Sequence, residues 1–339
     1  MNKGTPIALA LFAAMSISTG AWAAEPIVLK FGSAVPPQSW PNSRGVYPWT
    51  KQVEQESGGL IQFQIFTGGQ VVTLKNAYDR MLNGIVDCIY GAFSELPGTY
   101  KKATVPTLPF EAPKAVVASV ALWRLYESGV IADEFTKVKP IALFGYNPSG
   151  IQTSRPIARL EDMKGIKLAV ISRAAAQEVE LLGGTPVTMS PAEIYESIQR
   201  GLSAGAVLGW TGTQTFKLAE VTTYHLDVPF GNNPGFFMIS KDAYDRVPAD
   251  ARKALDKHMG MEWSVIMGKN SDQVEEESRI EVRAKAGHTV SQLAAAETER
   301  WKKLLVPIGE EWVKTNPDGA KVLAAYRAEV AKAEKEYGK

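Results

Sequence analysis

The strongest constraint on this chain is a rhythm of short apolar runs cut by glycine breaks. Ile27 to Phe31 reads as a strand, and Tyr47 to Glu56 as a helix stopped at Gly58-Gly59. Leu60 to Phe66 alternates Ile61, Phe63 and Ile65 with Gln62 and Gln64, the period of a half-buried strand. Leu74 to Leu82 predicts a helix closed by Asn83-Gly84, and Ile85 to Tyr90 a third strand. This β-α-β-α-β order predicts a mostly parallel sheet covered by helices.

A second unit of the same kind follows. Pro113 to Glu127 reads as a helix, and Val138 to Tyr146 as a strand ending at Asn147-Pro148-Ser149-Gly150. Ile166 to Ile171 is a strand and Ala174 to Leu182 a helix. Ser190, Pro191 and Glu193 together start another helix, with a capping oxygen, a first-turn proline and an acid at the third position. Ala206 to Leu208 and Phe236 to Ser240 complete the strands. Two such units predict two lobes. The tail differs: Pro248 to about Ala286 is nearly free of breakers and reads as one long helix or two abutting ones. Ser291 to about Val306 and Gly319 to Ala333 predict further helices.

The first 23 residues read as a leader. Lys3 precedes an apolar run from Ile7 to Ile17, and Ala21-Trp22-Ala23 supplies small residues for cleavage after Ala23. The run is short for a membrane anchor, which needs about 20 residues. The single Cys88 excludes an internal disulfide and a cysteine-clustered metal site. Export without disulfides fits a periplasm. Lys and Arg total 37 against 36 Asp and Glu, so no basic field is available for nucleic acid. Three histidines leave little for a metal centre, and neither a metal nor a cofactor is expected.

Catalytic signatures are missing, and no enzyme is expected. Gly201-Leu202-Ser203-Ala204-Gly205 has the spacing of a serine nucleophile elbow, but it follows a helix where the elbow needs a strand. Cys88 sits inside an apolar strand and reads as an inert thiol. His225 beside Tyr224 reads as a strand-edge or loop residue. A two-lobed α/β protein without catalytic groups suits closure on a small molecule.

Several stretches carry a family resemblance. Leu29-Lys30-Phe31-Gly32, Gly69-Gln70, Leu82 to Asp87, Leu160 to Lys167, Leu182 to Val187, Ser190 to Gly205 and Ser240 to Pro248 come in a specific order. In them the chain resembles the DctP-type solute-binding proteins of tripartite ATP-independent periplasmic (TRAP) transporters, over essentially all of 27–335. The resemblance implies a type II-like, two-lobed periplasmic binding fold, each lobe a mixed sheet flanked by helices. It divides the chain into a leader (1–23), a segment mainly in the first lobe (24–146), one mainly in the second with crossover strands (147–240), and C-terminal helices packing across both (241–339). It also implies a periplasmic monomer that captures a small organic acid and hands it to the membrane permease subunits, driven by an ion gradient. A periplasmic sensor feeding a receptor is the alternative.

Departures from the family pattern shape the expected site. Where the resemblance places an arginine clamp, a second arginine and an asparagine, this chain has Ala169, Ser149 and Leu208. An arginine–carboxylate clamp is bidentate, and alanine or leucine cannot replace it. Aromatic residues stand near the expected cleft instead: Trp40, Tyr90, Phe93, Tyr146, Trp210 and Phe237. Each also reads as packing, although Trp210, in a loop of glycines and threonines, is expected to cover the ligand. Arg173, at a helix start, is expected to reach an anion, and Ser149 and Asn233 to offer hydrogen bonds. The expected solute is a small organic acid with a large aromatic or apolar part, or a neutral oxygenated relative.

Overall fold

A computed structural model describes Met1 and residues 25–338. The leader read over 1–23 lies outside the described residues, Met1 apart. The first sheet is ordered β2 (Ile61–Phe66), β1 (Ile27–Gly32), β3 (Cys88–Ala92), β10 (Asn232–Ser240), β4 (Val138–Pro148). The second is ordered β11 (Thr289–Gln292), β9 (Tyr224–Asp227), β5 (Gly150–Thr153), β8 (Gly205–Leu208), β6 (Lys167–Val170), β7 (Thr185–Thr188).

Both sheets are mixed. β1 pairs in parallel with β2 and β3, as the β-α-β-α-β rhythm predicts. β10 then inserts antiparallel between β3 and β4, which corrects the mostly parallel expectation. The reason is its route: β10 lies late in the chain and returns from the second lobe, so it runs against its neighbours. Its faces alternate. Phe236 packs with Phe93 and Met238 in one core, while Phe237 packs with Phe31, Tyr90 and Phe144 in the other. At Gly91 of β3 an added Cβ would sit 2.6 Å from the Phe236 ring, so only glycine lets β3 and that ring meet.

Helices cover both sheets. α1 (Tyr47–Glu56) and α2 (Ala77–Leu82) flank the first, and α3 (Ala115–Glu127) is buried nearly throughout its length. A helix apolar on all faces belongs in a core, and α3 packs against β4 and two tail helices. In the second lobe α4 (Arg173–Leu181) is capped by Ser172, whose Oγ accepts from the Ala175 N–H at 3.1 Å. α5 (Pro191–Gln199) starts with the capping box read from Ser190 and Glu193. A short helix, α6 (Trp210–Thr215), follows β8, and α7 (Lys241–Arg246) follows β10. The breaker-poor tail is α8 (Ala249–Lys257) and α9 (Met261–Arg283), separated at Gly260, where φ is +95°. α10 (Ala295–Thr315) and α11 (Gly319–Tyr337) close the chain.

The helix expected from Ser291 starts four residues later, because Thr289–Gln292 pairs in parallel with β9 as β11. The Gly201–Gly205 turn joins α5 to β8. Ser203 is buried and shares a hydrogen bond with Ser197 Oγ at 3.0 Å, a packing role. Cys88 is buried and free, and burial pushes its thiol well up.

Two adjacent strand crossovers join the lobes, and the tail passes between them again where α9 leads into β11. β4 runs through Ser149 directly into β5, and β9 returns through Phe230 and Gly231 into β10. The crossovers bond to each other: the Ser149 N–H donates to Gly231 O at 3.2 Å, and the Phe230 N–H to Ser149 O at 3.3 Å. α9 braces this junction. Asp272 accepts from Asn147 Nδ2 at 2.7 Å and from the N–H groups of Ala115 and Val116 at 2.8 and 3.1 Å. α3 has no capping side chain of its own, so a carboxylate from another helix takes the donors left unpaired at its start. Asp272→Ala is expected to lower stability by about 3 kcal/mol, because it leaves buried donors unpaired. Asp272→Asn should lose less. Urea unfolding followed by circular dichroism checks both.

Candidate functional site

A cavity lies between the lobes, outside the carboxyl ends of β1, β3, β4, β6 and β8, where α/β sheets place their ligands. It offers about 70 Å³ to the centre of a water-sized sphere. One water needs roughly 10–15 Å³ on that measure, so the space suits a small molecule.

The first-lobe wall is aromatic. Trp40 is carried by the loop after β1. Asn42 Nδ2 fixes that loop by donating to Pro36 O at 2.8 Å and Val35 O at 3.2 Å. Trp40 meets Tyr146 edge-on, with centroids 5.7 Å apart, at the end of β4. Tyr146 and Tyr90 share a short hydroxyl–hydroxyl hydrogen bond. Burial pushes both phenols well above their ordinary range, so both are neutral donors and acceptors. Phe144 and Phe237 back the tyrosines from inside the lobe.

The second-lobe wall comes from Ile171 and the segment Leu208–Phe216. α6 is pressed onto Leu208 so closely that a Cβ on Gly212 would lie 2.5 Å from its side chain. Glu275 of α9 ties α6 down, accepting from the Thr211 N–H at 3.0 Å. At the rim, Lys75 and Glu193 pair across the lobes at 3.0 Å. Both are exposed, and such a pair contributes little.

Of the eleven residues singled out in the sequence, six line this cavity: Trp40, Tyr90, Tyr146, Ser149, Leu208 and Asn233. Five do not. Phe93 lies in the first-lobe core against Tyr100, Phe135 and Phe236. Phe237 points to the opposite core. Ala169 is fully buried under the cleft floor with Ile194 and Ile198. It shares a strand face with Ile171, which does reach the cavity, so the floor at this place is apolar. Arg173 is largely exposed and pairs with Glu311 of α10 at 3.2 Å, beside a different groove. Trp210 turns away: its Nε1 donates to Asp227 at 2.7 Å and its ring tilts on His225. Asp227 offers its buried N–H a partner, and the ring lies outside this lining, away from the covering position expected of it.

Sequence reading did not single out Glu95, Ser94, Leu74, Ile171 or Phe216 for this site, though all line it. Ser94 and Glu95 follow β3 directly, so Tyr90 and Asp87 were the available signal. Among the described residues no lysine or arginine lines the cavity. Ser94 Oγ and Asn233 Oδ1 are buried there without a hydrogen-bond partner. Among the described residues no group of three or more His, Cys, Asp or Glu side chains is gathered as metal ligands are.

Two buried carboxyls brace the cleft. Burial pushes Glu275 from 4.5 up to about 8, although the Thr211 and Trp210 N–H groups pull it down. Glu178 accepts from the Gly231 N–H of the return crossover at 3.3 Å, and burial raises it to about 8 too. In the unfolded chain both lose their protons near the ordinary 4.5. Across that window the fold holds more protons, so stability falls as pH rises from about 5 to 8. Glu275→Gln should flatten part of this fall, read as urea midpoints over that pH range.

The comparisons agree on one family. Residues 31–316 match the DctP family model, described as bacterial extracellular solute-binding protein, family 7. The chain is similar to the C4-dicarboxylate-binding periplasmic protein DctP of Rhodobacter capsulatus, 24% identical over 319 residues, covering 91% of this chain and 92% of that protein. It is similar to the structure of a marine metagenome TRAP solute-binding protein, from an unidentified microbe, specific for aromatic acid ligands and in complex with 3-hydroxybenzoate. That likeness has a TM-score of 0.87 and 26% identity, over 92% of this chain and 100% of the other. A TRAP solute-binding protein from Rhodoferax ferrireducens T118, in complex with copurified benzoate, also has a TM-score of 0.87 and 26% identity, over 91% and 99%.

Proposed function

This chain belongs to the DctP family of bacterial extracellular solute-binding proteins, and on that premise we propose that it captures a small organic acid with a large aromatic part. Capture takes place between the lobes in the periplasm, and the loaded protein delivers the solute to the membrane permease of a TRAP transporter. The observation that carries the reading is the cavity wall. Trp40, Tyr90, Tyr146 and Phe216 line it, and neither Arg nor Lys does. Aromatic faces and edges reward a flat apolar ring. A short diacid has no ring to offer these faces and brings a second charge into a lining without a lysine or arginine among the described residues.

The acid end is held by neutral donors. Ser149, at the crossover between the lobes, and Thr211, on α6, both line the cavity and carry hydroxyls that can donate to a ligand. The ligands bound in the two similar structures, 3-hydroxybenzoate and benzoate, support the same solute class. A second reading, a neutral oxygenated solute, is favoured by the lining's want of a cation and its inclusion of Glu95.

Calorimetry with benzoate, 3-hydroxybenzoate, succinate and malate tests the reading. The aromatic acids should bind and the diacids should not compete. Trp40→Ala should weaken aromatic binding at least about tenfold, a step of about 1.4 kcal/mol. Tight binding confined to the diacids would overturn the proposal.

A further inference from the structure

We propose that Glu95 is the specificity-determining residue of this cleft, accepting a hydrogen bond from a hydroxyl or N–H group on the solute at the end opposite its acid. The inference rests on the aromatic-solute reading above and names the second functional group that such a solute carries.

Three observations converge. Glu95 closes the short turn after β3 and lines the cavity. Its carboxylate makes no hydrogen bond or ion pair among the described residues. Beside it, Ser94 Oγ lies buried without a partner, and Asn233 Oδ1 lies buried without one elsewhere in the same lining. Buried acceptors left unpaired are costly, and natural structures pair them. A carboxylate accepts only, and an amide oxygen accepts only, whereas the Ser94 hydroxyl can donate or accept. The complement to Glu95 and Asn233 Oδ1 is therefore a donor on the ligand, and Ser94 fits a donor or an acceptor.

The electrostatics agree. Burial raises Glu95, with Lys75 pulling the other way and Glu193 pushing with burial. Lys75 is already paired to Glu193 at the rim, so its charge is shared. An ionised carboxylate brought against Glu95 would meet a like charge in a lining without cations. A solute with an acid at one end has to place that end away from Glu95. A phenol, alcohol or amine placed toward Glu95 gains a charge-assisted hydrogen bond. The selection is asymmetric: a site built for a donor rejects the analogue lacking it, since the half-buried Glu95 carboxylate and the buried Asn233 Oδ1 are then left without a partner.

The test uses calorimetry on the full mature chain with two matched probes, 3-hydroxybenzoate and its methyl ether 3-methoxybenzoate. The neutral 3-hydroxybenzyl alcohol is a third probe. Wild type should bind the hydroxy acid at least about tenfold tighter than the ether. Glu95→Ala should bring the two within about threefold, chiefly by weakening the hydroxy acid. Glu95→Gln, which keeps an acceptor oxygen without the charge, should retain part of the preference; its thermal midpoint, matched to wild type, checks folding. Equal binding of hydroxy acid and ether by wild type, or a preference that survives Glu95→Ala, overturns the role of Glu95 and leaves the aromatic reading standing. Failure of all three probes to bind overturns both.

Discussion

The structure turns on one carboxylate. Asp272 of α9 holds the first N–H groups of α3 and the side chain of Asn147 together. Asn147 belongs to the strand that leaves the first sheet for the second, and its Oδ1 accepts in turn from Ser271. One charge thus fixes the start of the most buried helix, the crossover and the long tail helix relative to one another. Tyr146 precedes Asn147 and Ser149 follows it closely, so the same contact sets where two cavity residues stand. Three residues after Asp272, on the same helix, Glu275 does the equivalent for α6 on the other side of the cleft.

The cleft built on this brace is polar only by neutral groups and one acid. Two neutral tyrosines bonded to each other, an edge-on tryptophan and a phenylalanine make its walls. On the proposed reading, dispersion and ring-edge contacts set what fits, and hydrogen bonds set its orientation. The cations of the neighbourhood are committed elsewhere: Arg44 to Glu277, Arg173 to Glu311, Lys75 to Glu193. The lining itself therefore offers a ligand no lysine or arginine among the described residues.

The fold was largely legible because its signals are local. Gly58-Gly59, the alternation of Ile61 to Ile65 and the Ser190–Glu193 cap each state an element within a few residues. β10 and β11 were harder, since their partners lie far away in the chain and direction is a property of the path. The site was legible where it follows strand ends, as at Tyr90 and Tyr146. It failed for Trp210 and Arg173, whose orientation is decided by Asp227 and Glu311, residues distant in sequence. It did not point to Glu95, because a lone acid in a short turn carries no pattern; only its place in the cavity lining and its lack of a hydrogen-bond or ion-pair partner among the described residues single it out.

A crystal structure of the protein, purified from its native host and keeping its copurified solute, tests the central claim most directly. The account predicts a ring between Trp40, Tyr146 and Phe216, with its acid near Ser149 and Thr211. A short diacid in that cavity, or a solute bound in the groove beside Arg173 and Trp312, would contradict it.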